Sequence, residues 1–311
     1  MKQQKMNLAA FVVAGPVSGH HGGWRYPTAD RNLLSFEYYR NVGRILEDGR
    51  FDLIFFADIL AIPNRYEGKL DSQLRYGALG SLRLDPLLVL SAMAASTKYL
   101  GLASTISTSY FHPFAVARTM ATLDHLSSGR AAWNIVTSFQ QAEAANFGLE
   151  DQLSRDERYD RADEFLDVVC KLWDSWRDGA LVLDAETPQF ADPEFVQPID
   201  HRGKWFNVRG PLNVSRSPQG RPAAWGHCGN SSAPVPMSPT SWKSGSAPAL
   251  AMASCCKRLT FLAAWRISCG SLFPNCKSAN CSGATMKARR CGTIWGWYGR
   301  RHNPHRSATL R

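Results

Sequence analysis

The first 176 residues of the chain alternate between two hydrophobic patterns. Short apolar runs bounded by Gly, Pro or Asp are typical of buried strands. Between them lie segments whose apolar positions are three and four residues apart, which is the spacing of one helix face. The pattern predicts strands over residues 7–15, 51–58, 100–108 and 131–138, and helices over residues 35–49, 85–99, 112–129 and 154–176.

Two of the predicted helices carry recognisable end signals. Ser35 stands where an N-cap residue accepts a backbone N–H, and Gly49 follows the last turn of the same helix. Asp85 precedes Pro86, a pair that favours the first turn of a helix. These local signals agree with the hydrophobic spacing.

The predicted strands are apolar on both faces, which indicates a parallel sheet covered by helices. No GxGxxG motif follows the first strand, which disfavours a dinucleotide-binding fold. Polar residues stand instead near the carboxyl ends of the strands, where (β/α)8 barrels build their active sites. We therefore predict an α/β fold of the (β/α)8 barrel type. The polar residues at these ends are His20, His21, Asp58, Thr105, Thr137 and Ser138.

Charge is distributed unevenly along the chain. The formal net charge is +10, but all 26 Asp and Glu residues lie before residue 223. Residues 223–311 hold 12 of the 36 Lys and Arg and seven of the eight cysteines, so this segment carries +12 and the rest of the chain −2. The change in composition divides the chain into residues 1–222 and a basic, acid-free tail, residues 223–311, which we expect to be poorly ordered.

Three explanations of the tail compete. A nucleic-acid-binding tail fits the positive charge, although such tails are usually rich in Lys and poor in Trp. A zinc or disulfide module fits the cysteines, but the tail has no CxxC pair and an odd number of cysteines. A shift of reading frame near Pro222 explains the complete loss of acidic residues, and we favour it.

The sequence also bears on the compartment. It contains no run of eighteen apolar residues and therefore predicts no membrane-spanning helix. The first apolar run, residues 8–15, is short and leads into a glycine-rich loop, which favours a core strand over a signal peptide. We therefore expect a cytoplasmic protein.

Several phrases of the sequence together resemble one family. They are FDLIFFAD, STSYFHPFAVARTMATLDHLSSGRAAWNIVTS, AANFG, ERYDRADEFLDVVCKLWDSW and RGKWFNVRGPLNVSRSPQGRP. In this order and spacing they are similar to the bacterial-luciferase-like flavin monooxygenases, and within these to the nitrilotriacetate monooxygenase component A group. The resemblance covers about residues 5–222.

The resemblance implies a (β/α)8 barrel that binds reduced FMN supplied by a separate flavin reductase. With O2, such an enzyme oxygenates a small organic substrate of the aminopolycarboxylate or organosulfur type. The difficult chemistry belongs to the flavin, so no nucleophile triad is expected. No carboxylate stands at ligand spacing from His20 and His21, which disfavours a metal site there. The resemblance also implies a homo-oligomer.

The resemblance extends to individual residues at the strand ends. Asp58, Thr105 and Asn134 match residues that contact the flavin. His20 and His21 are candidate catalytic residues, since they could bind an anionic group near the flavin. A glycine-rich loop with two solvated histidines is equally consistent with the sequence.

Three further residues match the part of the family that binds the flavin phosphate. Tyr159 matches a tyrosine at the phosphate, and Arg155 stands where the family usually has a histidine. Arginine is still a good phosphate donor, but its reach and charge differ from those of histidine. Ser231, in a GNSS turn, is the best match for a further phosphate contact.

The resemblance stops before the chain does. Nothing beyond residue 233 matches the family, and a (β/α)8 barrel needs about 250 residues. The sequence therefore predicts an incomplete barrel, in which an N-terminal half-barrel is followed by an irregular tail. Two alternatives to a working monooxygenase follow, namely a non-catalytic relic of the family and a binding protein with a nucleic-acid-binding tail.

Overall fold

The strands and helices predicted from the hydrophobic pattern are present in the computed structural model, which describes residues 7–16, 22–64, 67–78 and 80–226. These residues fall within the first of two units, Met1–Leu272, and the second unit lies outside the described residues. In the described part of the chain the strands are β1 (Ala9–Val13), β2 (Leu53–Ala57), β3 (Gly101–Ser107), β4 (Ala131–Val136), β5 (Leu181–Asp184), β6 (Gln189–Ala191), β7 (His201–Arg202), β8 (Asn207–Val208) and β9 (Ala223–Gly226). The α-helices are α1 (Phe36–Asp48), α2 (Asp71–Tyr76), α3 (Pro86–Ala94), α4 (Pro113–Leu126), α5 (Gln141–Asn146) and α6 (Arg155–Asp174).

Five of the described strands form one parallel sheet in the order β1-β2-β3-β4-β9. Val13 pairs with Ala57, and Ser107 pairs with Val136, so the carboxyl ends of the strands lie along one edge. The segment between α6 and β9 forms two short hairpins, β5–β6 and β7–β8. Consecutive parallel strands with a helix in each crossover are the repeating unit of the predicted (β/α)8 barrel.

The outer face of the sheet packs against the helices. Trp133 of β4 is fully buried, and its ring lies 5.9 Å from that of Phe165 in α6. Tyr39 of α1 contacts Phe56 of β2 in the same way, with ring centroids 6.1 Å apart. Successive side chains of a strand point to opposite faces, so alternate residues of each strand form this core. Its other strand residues include Ile54, Leu102, Ile106 and Ile135.

The inner face of the sheet carries the alternate residues. Phe55 of β2 contacts Phe11 of β1 and Trp225 of β9, with ring centroids 5.2 and 5.8 Å apart. Thr105 and Asn134 lie on the same face, nearer the carboxyl edge. The inner face therefore has aromatic side chains in its middle and polar side chains towards the carboxyl edge of the sheet.

The predicted helix caps are confirmed. Ser35 Oγ accepts the Tyr38 N–H (3.2 Å), and Asp85 Oδ1 accepts the Leu87 N–H (2.8 Å). The helix predicted over residues 85–99 ends earlier, at Ala94. The Lys98 N–H, which would bond the Ala94 carbonyl oxygen in a longer helix, donates to Glu47 Oε1 (2.8 Å). The Ala94 carbonyl oxygen accepts Arg130 Nη2 instead (3.1 Å).

Two short helices were missed by the sequence pattern. The helices α2 and α5 have six residues each, fewer than two turns, which is too short for a hydrophobic period to show. None of the helices among the described residues is long and apolar enough to cross the hydrocarbon core of a membrane.

Polar groups at the N-terminal edge of the sheet are paired within the chain. Arg130, just before β4, donates to the carbonyl oxygens of Leu100 (2.7 Å) and Thr97 (3.0 Å). Glu47 at the end of α1 accepts three successive backbone N–H groups, those of residues 98–100, at 2.6–2.9 Å. In (β/α)8 barrels this edge serves stability, whereas the opposite edge serves function.

Candidate functional site

Three of the residues that the sequence predicts for the site lie at or near the carboxyl edge of the sheet. Asp58 directly follows β2, and Thr105 and Asn134 are register partners in β3 and β4. Asn134 Nδ2 donates to Thr105 Oγ1 (3.0 Å), and Thr105 Oγ1 donates to the carbonyl oxygen of Phe56 (2.8 Å). These hydrogen bonds join β2, β3 and β4 and fix the orientation of the Asn134 amide.

Asp58 titrates close to neutral pH. Burial is the main reason that its pKa is raised from 3.8 to about 6. The Ile59 N–H, which donates to Asp58 Oδ1 (2.8 Å), and the Arg83 guanidinium lower this pKa. The carboxylates of Asp85 and Glu143 raise it. The ionised Asp58 carboxylate only accepts hydrogen bonds, whereas the protonated carboxyl also donates one. Because its pKa is about 6, both forms are present at pH values near 6.

A pocket of about 10 Å³, room for one water molecule, lies among the ends of β2, β3 and β4. Its walls are mostly polar and come from β3 and β4, from the loops that follow β2, β3 and β4, and from α5. The lining residues are Asp58, Leu60, Thr105, Ser107, Phe111, Val136, Ser138 and Glu143.

Glu143 of α5 is the buried acid of this pocket, with 4% of its surface exposed. Its Oε1 accepts the Leu60 N–H (3.0 Å) and lies 3.5 Å from Ser138 Oγ, while Oε2 accepts the Gln140 N–H (3.2 Å). Ser138 has a φ of 52°, in the left-handed region that residues other than glycine rarely adopt. Such backbone is found mainly where the surroundings enforce it, often at functional sites. Sequence reasoning missed Glu143, because its bond to Leu60 spans 83 residues.

A larger cleft of about 470 Å³ adjoins the pocket and shares Asp58 and Leu60 with it. Its walls are residues 58–62 and 80–85, together with Asn146. The volume lies in the range of small-molecule sites. Asp58 therefore lies between the small polar pocket and the larger cleft and lines both of them.

The first turns of α6 hold the residues predicted to bind a phosphate. Arg155 is exposed, and its guanidinium carbon lies 5.8 Å from the ring centroid of Tyr159, so these two residues contact each other. Arg158, which sequence reasoning missed, is half-buried, and its Nε has no hydrogen-bond partner among the described residues. Arg158 comes three residues after Arg155, so the two arginines are neighbours on the surface of α6. This spacing is a sequence signal that could have identified Arg158.

Gln152 adds a second buried donor in front of α6. Its Oε1 accepts the Tyr110 hydroxyl (2.8 Å), but its Nε2 has no partner within the described ranges. Buried donors near a helix N-terminus favour a negatively charged group.

The remaining predicted residues, His20, His21 and Ser231, lie outside the described residues. Within the part of the chain that is described, no group of three or more His, Cys, Asp or Glu side chains could hold a metal ion.

Two of the curated relatives each match about 70% of the chain. The chain is 52% identical over 221 residues to a dibenzothiophene-sulfone monooxygenase of Rhodococcus erythropolis, covering 71% of this chain and 49% of the relative. It is 42% identical over 226 residues to a nitrilotriacetate monooxygenase component A of Aminobacter aminovorans, covering 70% and 49%. The chain thus spans about half the length of the curated relatives it matches.

Two solved structures share the fold at substantial sequence identity. A long-chain alkane monooxygenase superposes with a TM-score of 0.70 at 40% identity, covering 75% of this chain and 53% of that one. A riboflavin lyase, solved with modified FMN and riboflavin, gives 0.66 at 38% identity, covering 72% and 50%. The family profile of the luciferase-like monooxygenases matches residues 14–253. The chain therefore belongs to the luciferase-like monooxygenase family, as its sequence motifs predicted.

Proposed function

We propose that the chain is the oxygenase component of a two-component monooxygenase, which uses reduced FMN and O2 to oxidise a small organic substrate. The observation that carries the proposal is the set of polar side chains Asp58, Thr105 and Asn134 at the carboxyl edge of the sheet, beside a small-molecule cleft. A relative named component A supports a system with a separate flavin reductase. The fold neighbour solved with modified FMN supports FMN as the flavin.

The described residues fit FMN in their chemistry. Asp58 and Asn134 offer the acceptors and donors that ribityl hydroxyls and ring N–H groups require. The unpaired Nε of Arg158 at the start of α6 suits a phosphate. Phe55 and Trp225, which contact each other on the inner face, offer an apolar surface for a ring system.

When bound, reduced FMN supplies the electrons with which O2 is activated and one oxygen atom is transferred to the substrate. The chain's own residues bind the flavin and the substrate, orient them, and reduce their contact with water. Thr105 holds the Asn134 amide in one orientation through their hydrogen bond (3.0 Å). Asp58, with a pKa raised to about 6 by burial, holds or releases a proton next to the cleft. The aromatic inner face excludes water from the site.

The names of the relatives guide the substrate class. One is named for dibenzothiophene sulfone and another for nitrilotriacetate, an organosulfur compound and an aminopolycarboxylate. We propose a substrate of one of these types. The proposal includes a flavin reductase as partner, a homo-oligomer as the assembled form and the cytoplasm as the compartment.

Asn134→Leu is expected to weaken FMN binding by about tenfold or more, because it removes a polar contact and leaves the flavin groups unpaired. The measurement is a fluorescence titration of FMN into the full 311-residue chain. Asn41→Leu, the same change on the exposed surface of α1, is the control and should leave the affinity unchanged. Equal FMN affinity in wild type and Asn134→Leu would contradict the assigned role of Asn134.

Turnover tests the proposed function directly. The chain is combined with a flavin reductase, NADH, FMN and O2, and substrate loss is followed for dibenzothiophene sulfone and nitrilotriacetate. Substrate-dependent product formation that requires both the chain and the reductase is the expected result. A chain that does not bind FMN in the titration would overturn the proposal.

A second candidate function, a non-catalytic relative of the same family, is favoured by one observation. Residues 223–311 contain no Asp or Glu, although the family profile extends to residue 253. The discriminating measurement is the nucleotide sequence around codon 222, translated in all three frames. Family-like sequence that continues in another frame would support this candidate, and an intact frame would remove it.

A further inference from the structure

Arg83 lies in the wall of the cleft with unpaired N–H groups. Its Nε and Nη1 are buried and have no hydrogen-bond partner in the described part of the chain. The Asp58 carboxyl attracts the guanidinium, yet no ion pair within 4.0 Å joins these two described side chains. Buried donors of a charged group are costly when unpaired, and folded proteins usually supply a partner. Arg83 lines the cleft and is not ion-paired within the described part of the chain, so its guanidinium is a candidate anchor for an anion in the cleft.

Apart from Arg83, the cleft has four polar residues, Asp58, Ser81, Asp85 and Asn146, and the remaining side chains of its walls are apolar. One wall consists of residues 59–62, which read Ile, Leu, Ala and Ile, and the other includes Leu82 and Leu84. A ligand that fills this space therefore needs a hydrophobic body as well as a negative charge.

Both walls are held in place by the fold. Asn146 Nδ2 donates to the carbonyl oxygen of Leu60 (2.8 Å), and the Leu84 N–H donates to that of Ala14 (2.7 Å). A Cβ at Gly15 would collide with the carbonyl oxygen of Leu82, so glycine is what allows this close approach. Ordered walls reduce the entropy that binding would cost.

We propose that Arg83 binds the carboxylate of the substrate, and that the substrate is a small organic acid whose alkyl or thioether body lies between residues 59–62 and Leu84. The cleft shares Asp58 with the pocket at the strand ends, so a ligand anchored on Arg83 lies beside the flavin contacts. This proposal deepens the proposed function and rests on it, since the compound that Arg83 holds is taken to be the compound that is oxygenated.

A carboxylate suits the guanidinium because a carboxylate only accepts hydrogen bonds and a guanidinium only donates them. A neutral amide or hydrocarbon of the same size would bring no charged acceptor to the Arg83 guanidinium. The phosphate of the flavin has a separate set of unpaired donors, Arg158 Nε and Gln152 Nε2. Arg83 is thus left for the substrate and selects acids over neutral compounds.

The test is equilibrium binding rather than turnover. The probes are 3-(methylthio)propanoate and its neutral amide, titrated into the full chain with and without oxidised FMN. Saturation-transfer NMR of the S-methyl protons gives the dissociation constants. The acid is expected to bind about tenfold more tightly than the amide, because only the acid offers a charged acceptor to the N–H groups of Arg83.

Two variants locate this preference. Arg83→Gln should weaken binding of the acid about tenfold and leave that of the amide unchanged, and Arg83→Lys should fall between. Arg118→Gln, which removes an exposed arginine of α4, is the matched control and should behave as wild type. Equal affinity for acid and amide in the wild-type chain overturns the proposal, as does an Arg83→Gln chain that binds the acid as tightly as wild type.

The comparison of acid and amide needs no variant, so it decides the matter even if Arg83→Gln does not fold. An FMN titration of the same samples separates the two proposals. If the chain binds FMN but shows no preference for the acid over the amide, the role of Arg83 is contradicted and the proposed function stands. If the chain prefers the acid but does not bind FMN, the proposed function is contradicted.

Discussion

Arg130→Met is expected to lower the free energy of unfolding by about 3 kcal/mol. Arg130 Nε donates to the carbonyl oxygen of Ser127 (2.7 Å), and its Nη1 donates to Thr97 Oγ1 (2.9 Å) and to the carbonyl oxygen of Leu100 (2.7 Å). Its Nη2 closes the end of α3 by binding Ala94. Methionine fills part of the space but leaves these acceptors without donors.

Chemical denaturation of the full chain measures the effect. Arg118→Met, on the exposed side of α4, is the matched control and should change stability by no more than about 0.5 kcal/mol. The FMN affinity of folded Arg130→Met should equal that of wild type, because Arg130 lies at the edge opposite the site. A loss of stability below about 1 kcal/mol would show that water replaces Arg130 at these carbonyl groups.

The two edges of the sheet differ in how their polar groups are paired. At the N-terminal edge, Arg130 and Glu47 find their partners within the chain. At the carboxyl edge, donors of Arg83, Arg158 and Gln152 have no partner within the described residues. This difference is consistent with the proposed site at the carboxyl edge, because (β/α)8 barrels place stability and function at opposite ends of their strands.

The sequence predicted what depends on local signals. Ser35 and Asp85 were identified as caps because a cap bonds residues two or three positions away. Asp58 and Thr105 were located because strand ends in a parallel sheet meet at one edge. The family resemblance supplied their role, and it alone identified Asn134.

The rest of the site depends on contacts that are distant in sequence. Glu143 bonds Leu60 across 83 residues, and nothing in the local pattern QAEAAN marks its glutamate as buried. Arg83 lies in the segment GALGSLR, which carries no local signal of burial, whereas the structure buries two of its nitrogens. Unpaired donors are properties of the folded chain, so a one-dimensional pattern does not show them.

Asp58→Asn is expected to act in opposite directions on stability and on flavin binding. Burial raises the pKa of Asp58 from 3.8 to about 6. Above pH 6 the carboxyl is ionised in both the folded and the unfolded chain, but ionisation costs more free energy in the folded chain. With 1.36 kcal/mol for each pKa unit, this disfavours the folded state by about 3 kcal/mol at pH 8. Asparagine is neutral and removes this cost, while its amide oxygen still accepts the Ile59 N–H.

The pH dependence identifies the cause. A raised carboxyl pKa stabilises the folded state at low pH and loses that contribution as the pH rises through 6. Asp58→Asn should therefore be more stable than wild type by about 2–3 kcal/mol at pH 8, and this advantage should shrink as the pH falls from about 6 towards 3.8. Denaturant titrations at pH 4, 5, 6 and 8 measure it. Asp48→Asn, the same change at an exposed acid at the end of α1, is the control variant.

The same substitution should weaken FMN binding by about tenfold or more, because the flavin hydroxyls lose a charged acceptor. A gain in stability together with a loss of affinity would mean that Asp58 is kept at a cost to the fold, which is expected of a residue selected for its ligand. A variant that loses both stability and affinity would instead make Asp58 a structural residue that holds the turn after β2. In that case the flavin contact would have to be sought among the remaining polar groups of the carboxyl edge.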